Sequence, residues 1–294
     1  MPELPEVETI RRSLEPHLLG RGIASVAVHH GHVTAPLSPR VFVAGLRLRR
    51  IQRLWRRGKY LVWDLAPPAG GPAGDAASAP AAHLLVHLRM TGRLRYLPPR
   101  ARWTEAPAHT HAEFRLAGGG RLLFHDVRKF GRLLLVAPTD LPGVLPPGRD
   151  PILDGLPAPA LLGLLRGRGG TLKGLLLRQD LLCGLGNIYV DEALHRAGLH
   201  PARQGRSLSV GEVEALAAGI SGVLEEALAF RGTTLLDYRT GDGERGAFAA
   251  YLRVYGRSGR PCRTCDTPVQ TLRLAGRTTA FCPRCQPAAG ADPL

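Results

Sequence analysis

The sequence predicts an α+β fold in two domains. An N-terminal helix joins an antiparallel β-sandwich, and a helical domain follows that ends in a cysteine-held β-hairpin. Three observations lead there: short alternating or apolar runs fill residues 22–138, helical periodicity marks 158–230, and two Cys-x2-Cys pairs lie within 262–285. At 294 residues the chain has room for two cores.

Each element has its own local reason. Over 3–19, Val7, Ile10, Leu14 and Leu18 recur at helical spacing, Pro5 suits a first turn and Gly20 ends the run. The strands are GIASVAVHH, LRLRRIQRLW, KYLVWDL, HLLVHLRM, HAEFRL and RLLFHDV, with a hairpin turn at the AGGG of 117–120. Residues 66–82 are small residues and proline without periodicity, which predicts a flexible insertion between strands. The proline-dense 139–157 reads as an interdomain linker. Helices are predicted near 158–167, from Thr171 to about 182, over 188–197 with Asn187 as cap, and at 210–230 with Ser209 and Glu212 in capping-box spacing. GLGN at 184–187 breaks the second helix from the third.

Charge narrows the partners. There are 39 Lys+Arg against 24 Asp+Glu, a formal net charge of +15. Coding bias explains why 36 of those cations are Arg and only 3 are Lys, but not their surplus over acids, which points to a nucleic acid. Lys59, Lys129 and Lys173 therefore stand out, since a lysine amine can shuttle a proton where arginine cannot. No apolar run approaches the roughly 20 residues of a membrane span, and residues 1–20 lack a signal-peptide pattern. An intracellular, cytoplasmic protein without membrane association is expected.

Cys262, Cys265, Cys282 and Cys285 form two Cys-x2-Cys pairs separated by 16 residues. That pattern fits a tetrahedral four-thiolate zinc site, and four protein ligands leave no open position for chemistry. Between the pairs, VQTLRLAGRTTAF reads as a hairpin turning at Ala275-Gly276, with Arg277 beside its tip. Cys183 reads as a small buried hydrophobe.

Across nearly its whole length the sequence resembles the bacterial formamidopyrimidine-DNA glycosylases. The likeness runs through PELPEVET at 2–9, RGKYL at 57–61, HLRMTGRLR at 87–95, DVRKFG at 126–131, GLGNIYVDEAL at 184–194, VYGR at 254–257 and the four cysteines. The resemblance implies domains at 1–138, 158–232 (a helix–two-turn–helix) and 257–287 (a zinc finger with one structural zinc), a lesion-binding region at 233–256 and a tail at 288–294. It also implies a monomer acting on damaged duplex DNA.

By the same resemblance, removal of Met1 would expose Pro2 as a secondary-amine nucleophile, with Glu3 as acid/base and Lys59 as a second catalytic amine. Glu6 supports the site and satisfies the helix start. Arg277 corresponds to the finger arginine credited with δ-elimination; because a guanidinium stays protonated, phosphate positioning is its easier role. Met90, Arg128 and Phe130 match the set that fills the hole left by an everted base. His109, Arg168, Lys173 and Asn187 are the expected DNA contacts, although lysine is more usual at position 168.

The implied activity is a bifunctional glycosylase/AP lyase excising 8-oxoguanine and ring-opened purines through a Schiff base, followed by β,δ-elimination. An endonuclease VIII-type enzyme for oxidised pyrimidines is the nearest rival, disfavoured by PELPEVET and RKFG. A non-catalytic DNA-binding protein is the rival from another class, disfavoured by the intact Pro2, Glu3, Lys59 and Arg277. Duplex affinity is expected to fall steeply between 50 and 200 mM salt, since several phosphates are neutralised at once. A flat response in a fluorescence-anisotropy titration would contradict the charge argument.

Overall fold

The computed structural model describes residues 2–68, 79–102, 107–236 and 238–288. Met1, whose removal the family resemblance implies, lies outside the described residues, as do 69–78 (the middle of the expected insertion), 103–106, Asp237 and 289–294 in the expected tail. Two compact units are present, one of Met1–Leu145 with Arg231–Ala247, the other of Pro146–Phe230 with Phe248–Leu294. The division falls at Leu145/Pro146, and most of the region expected at 233–256 returns to the first unit, which chain order does not suggest.

In the first unit, helix α1 (Leu4–Leu18) starts with Glu3 as N-cap and Pro5 in its first turn. Leu4, Val7, Ile10, Leu14 and Leu18 make a fully buried stripe. Strands β1 (Ile23–Val28), β2 (Ile51–Arg57), β3 (Tyr60–Leu65), β4 (Ala82–His87), β5 (Gly92–Leu97), β6 (Thr110–Leu116), β7 (Arg121–Asp126) and β8 (Arg132–Val136) form two sheets. Their orders are β1-β6-β7-β5 and β2-β3-β4-β8. Every pairing within them is antiparallel. The core includes Trp63 and Phe114, whose ring centres are 5.6 Å apart.

A helix, α2 (Pro39–Leu46), interrupts the stretch read from sequence as strand-like throughout. Ser38 Oγ caps it by accepting from Val41 N at 3.4 Å, and Phe42 and Leu46 are buried. Packing of those two side chains outweighs the β preference of the valines around them.

The second unit follows a short α3 (Leu141–Val144) and contains α4 (Ala158–Leu165), α5 (Leu172–Leu176), α6 (Asn187–Arg196) and α7 (Val210–Ala229). Helix α5, expected to start at Thr171, has that residue as its N-cap but stops at Leu176 instead of running to about 182. Gln179 explains this: its Nε2 donates to Leu177 O and Leu185 O, both at 2.9 Å, and its Oε1 accepts from Gly184 N at 3.0 Å. A side-chain scaffold thus replaces helical hydrogen bonds. Ser209 and Glu212 do form a reciprocal capping box on α7, at 3.3 and 2.8 Å.

Strands β9 (Gln270–Leu274) and β10 (Arg277–Phe281) pair around Ala275 and Gly276, at φ of 49° and 70°. Positive φ at both central residues is the twist-matching geometry of a two-residue hairpin. Truncating the buried ring by Phe114→Ala is expected to cost about 3–5 kcal/mol in urea unfolding. A loss below about 1 kcal/mol would contradict its central place in the sandwich.

Candidate active site and nucleic-acid interface

The head of α1 is built from carboxylates that burial would ordinarily exclude. Pro2 is buried, and Glu3 and Glu6 are 2% and 1% exposed. Such groups persist only when hydrogen-bonded, and Glu6 shows how. Its Oε2 accepts from Glu3 N at 2.8 Å, supplying an orphan donor of the helix start. Its Oε1 accepts from Thr233 N at 2.7 Å, in the segment that returns to this unit.

Gly232 lies beside Glu6 with φ +83°, and a Cβ there would stand 2.8 Å from Glu6 Oε1, so only glycine fits. Tyr238 Oη donates to Arg231 O at 3.0 Å and packs in the sandwich core, closing the segment onto the helix. Ser13 Oγ accepts from Gly241 N at 2.9 Å, a further tie between α1 and this segment.

One turn along α1, Glu8 gathers Arg11, Arg12 and the buried Arg56, whose Nε lies 3.4 Å from it. Burial pushes the Glu8 carboxyl up, but these guanidiniums outweigh it and hold it below the ordinary 4.5. Arg56 Nη1 also donates to Gly58 O at 2.9 Å. The β2–β3 turn that presents Lys59 is therefore tied to the helix that begins at Pro2. Lys59 itself is 9% exposed.

Across the sheet, His87 pairs opposite Tyr60, and the rings meet edge to face at 4.5 Å. Burial, with the charges of Arg89 and Lys59, pushes His87 down to about 3. It is thus a neutral acceptor, taking Arg89 N–H on Nδ1 at 3.1 Å.

Met90 and Phe130 are 43% and 47% exposed, unusual for large apolar side chains. They come from different loops, yet Arg128 joins them. Its Nη1 lies 3.1 Å from Met90 Sδ, and its guanidinium sits 4.7 Å from the Phe130 ring centre. The turn is organised by Asp126, which is fully buried: its carboxylate accepts from Thr91 Oγ1, from Arg128 N at 3.2 Å and from Gly131 N at 2.7 Å. A Cβ on Gly131 would meet Phe124 Cζ at 2.4 Å, so this close approach also requires glycine. His109 is partly exposed, edge to face with His125 at 5.7 Å, and its Nδ1 has no partner among the described residues.

In the second unit the four cysteine Sγ atoms lie within 4.8 Å of one another. Sulfur–sulfur separations are 3.4 Å for Cys265–Cys282 and Cys265–Cys285 and 3.9 Å for Cys262–Cys285. Zinc bonded to four sulfurs at about 2.3 Å would space them about 3.8 Å apart, so the donors fit one structural zinc. Thr264 N and Cys285 N each donate to a cysteine sulfur at 3.4 Å, and His195 Nε2 lies 3.4 Å from Cys262 Sγ. Gln286 fastens the module: it accepts from Cys282 N at 2.9 Å and donates to Leu199 O at 2.8 Å.

The remaining expected contacts part company. Lys173, expected to face phosphate, is fully buried and ion-paired with Asp191, so it cannot reach a backbone in this conformation. Burial pushes Asp191 up to about 6 against the pull of Lys173, and its other oxygen accepts from Ala280 N at 3.0 Å. The pair thereby links α5, α6 and the zinc hairpin.

Asn187 is not the side-chain cap expected, because Gly186 occupies that position. Asn187 instead donates from Nδ2 to Thr278 O at 3.0 Å, while its N–H stands at the head of α6. Arg168 donates to Gly163 O and Leu164 O at 3.2 and 2.8 Å, closing the end of α4. Arg277 is exposed beside the hairpin tip.

A β-sandwich headed by a buried Pro-Glu, a helical module and a four-thiolate hairpin define a DNA-repair glycosylase of the zinc-finger type. The family models for the formamidopyrimidine-DNA glycosylase N-terminal domain, its H2TH domain and the zinc finger found in FPG and IleRS match residues 1–133, 148–238 and 259–288. The formamidopyrimidine-DNA glycosylase of Moorella thermoacetica is 46% identical over 93% of this chain and 95% of its own length. That of Desulfitobacterium hafniense is 41% identical over 97% and 100%.

Among solved structures, FPG from Thermus thermophilus aligns at TM-score 0.81 and 40% identity, over 97% of this chain and 98% of its own. A Lactococcus lactis FPG variant bound to Fapy-dG-containing DNA aligns at TM-score 0.84 and 33% identity, over 98% and 100%. The chain belongs to the formamidopyrimidine-DNA glycosylase family.

Sequence reasoning passed over Glu8, Arg56, His87 and Asp126. Glu8, His87 and Asp126 all stand inside the motifs of the family, but the Glu8–Arg56 contact spans 48 residues and left no local signal. The folded-state Glu8 carboxyl is held below its ordinary value, so its contribution is complete above pH 4.5 and is lost as pH falls through the lowered value. Glu8→Gln is expected to be less stable than the parent at pH 7, with the gap narrowing below pH 4.5 in urea unfolding. A gap independent of pH would contradict the ion-pair account.

Proposed function

We infer that this chain is a bifunctional DNA glycosylase/AP lyase acting on oxidised purines, with Pro2 as nucleophile once Met1 is removed. The observation that carries the reading is the buried Glu3 carboxylate directly after Pro2, at the head of a helix locked by Glu6. An α-amino group titrates near pH 8, about two units below lysine, so part of it is unprotonated and nucleophilic at neutral pH.

Attack of the Pro2 nitrogen on C1′ expels the damaged base, which leaves with a proton supplied in the site. The C1′–O4′ bond then breaks, O4′ takes a proton and the secondary amine is left as a permanently charged iminium. Loss of the C2′ proton to a base in the site sends its electrons toward the iminium as the 3′ phosphate departs. Glu3 handles the protons and stabilises positive charge at the sugar. Lys59 is the second amine, positioned by the Arg56-bound turn and kept company by the neutral His87.

Met90, Arg128 and Phe130 would enter the gap left by the extruded nucleotide, the two apolar chains as wedges and the guanidinium as donor to the orphaned base. Residues 233–256 would close over the everted base; part of that stretch is anchored to α1 through Glu6 and Ser13. His109, Arg168, Arg277 and the N–H groups at GLGN supply phosphate contacts. The protein works as a monomer in the cytoplasm, held to the nucleoid by its DNA affinity.

Borohydride is expected to trap the chain on duplex carrying 8-oxoguanine opposite cytosine, with the adduct mapping by mass spectrometry to the peptide beginning at Pro2. Glu3→Gln is expected to slow base release by about 10²-fold or more, with a smaller loss on a preformed abasic site. No adduct with folded protein, or faster processing of an oxidised pyrimidine, would overturn this reading.

A further inference from the structure

Three histidines from two parts of the chain meet on the first unit, beneath the turn that Asp126 organises. His30 and His32 flank Gly31 around the turn after β1, and His111 lies on β6. The backbone brings them together through His29 N, which donates to His111 O at 2.8 Å. Ring centres are 4.9 Å apart for His30–His111, 5.3 Å for His32–His111 and 6.1 Å for His30–His32.

Two ring nitrogens are left buried without partners among the described residues, His32 Nε2 and His111 Nδ1. The second is chemically fixed. His111 Nε2 lies 2.6 Å from Asp126 O, and a carbonyl only accepts, so Nε2 carries the proton and Nδ1 holds a lone pair. Buried polar atoms are nearly always satisfied, so two such atoms on rings in contact call for a bound group.

Metal geometry supplies one. An imidazole nitrogen about 2.0–2.1 Å from zinc places its ring centre about 3.2 Å from the metal, and tetrahedral angles then separate ring centres by about 5.2 Å. The observed 4.9–6.1 Å brackets that spacing. Donation from the far nitrogen of His111 to a backbone carbonyl is also the usual orienting contact of a metal-bound histidine. Among the described residues only the four cysteines already bring their donor atoms within 4.8 Å of one another. The rings of His30 and His32, both partly exposed, must therefore turn to converge on His111.

We propose that His30, His32 and His111 form a second metal site for one divalent ion of the zinc class, with water in the fourth position. Lys129 and Arg132 act electrostatically on His32 and oppose a dication, offset in part by Asp126, so the site is weaker than the four-thiolate one. An ion on His111 Nδ1 would strengthen the Nε2–H bond to Asp126 O and so brace the turn that carries Arg128 and Phe130.

The test is calorimetric titration of zinc into protein that already holds one zinc equivalent in its finger. One further equivalent with micromolar Kd is expected in the parent. It should be lost or weakened at least tenfold in His30→Asn, in His32→Asn and in the double variant, with unchanged thermal unfolding before zinc is added. Absence of a second equivalent in the parent, or its full retention in these variants, would overturn the proposal.

Discussion

The carboxylate of Glu6 is the constraint on which the first unit depends. One oxygen completes the start of α1 and the other seizes Thr233, more than two hundred residues later. A buried anion is costly unless every lone pair is used, and here the backbone uses both oxygens. The same expenditure fixes where Pro2 and Glu3 stand and fastens Arg231–Ala247 to the helix. Gly232 is forced by this arrangement, because any side chain would collide with the carboxylate it serves.

The second unit solves its own version of the problem with two adjacent acids on α6. Asp191 takes Lys173 and Ala280 N, and Glu192 accepts from the main-chain N–H groups of residues 253, 254 and 255 at 2.9, 3.0 and 2.9 Å. Burial raises both carboxyls, and the donors around them oppose it. Removing one partner of such a pair leaves an uncompensated buried charge, which costs far more than the intact pair gains. Together with the four thiolates, these acids hold the zinc hairpin against the helices.

Asp126 is the third organiser. Three donors converge on its carboxylate and His111 binds its carbonyl, so a short turn is rigid while the side chains it carries are exposed. Backbone order beneath the exposed Phe130 and Arg128 means that less conformational entropy is lost when they engage a partner. Met90 joins from another loop only because Thr91 also binds Asp126.

Periodicity and turn chemistry made much of this legible in advance. The stripe Val7–Ile10–Leu14–Leu18, the Ser209/Glu212 cap and the cysteine spacing each act within a few residues, where local rules hold. Helix α2 and the early end of α5 were illegible because burial of Phe42 and the bonds of Gln179 depend on what lies beside them. Lys173 shows the same limit for function: a rare lysine in a basic chain reads as a phosphate ligand until Asp191 is found against it. The sequence by itself determined helices α1 and α7, most of the strands, the zinc module and the family, since these rest on spacing along the chain. Tertiary structure alone decided which acids are buried, which cations are spent inside and which histidines meet, since those follow from distances between residues far apart in sequence.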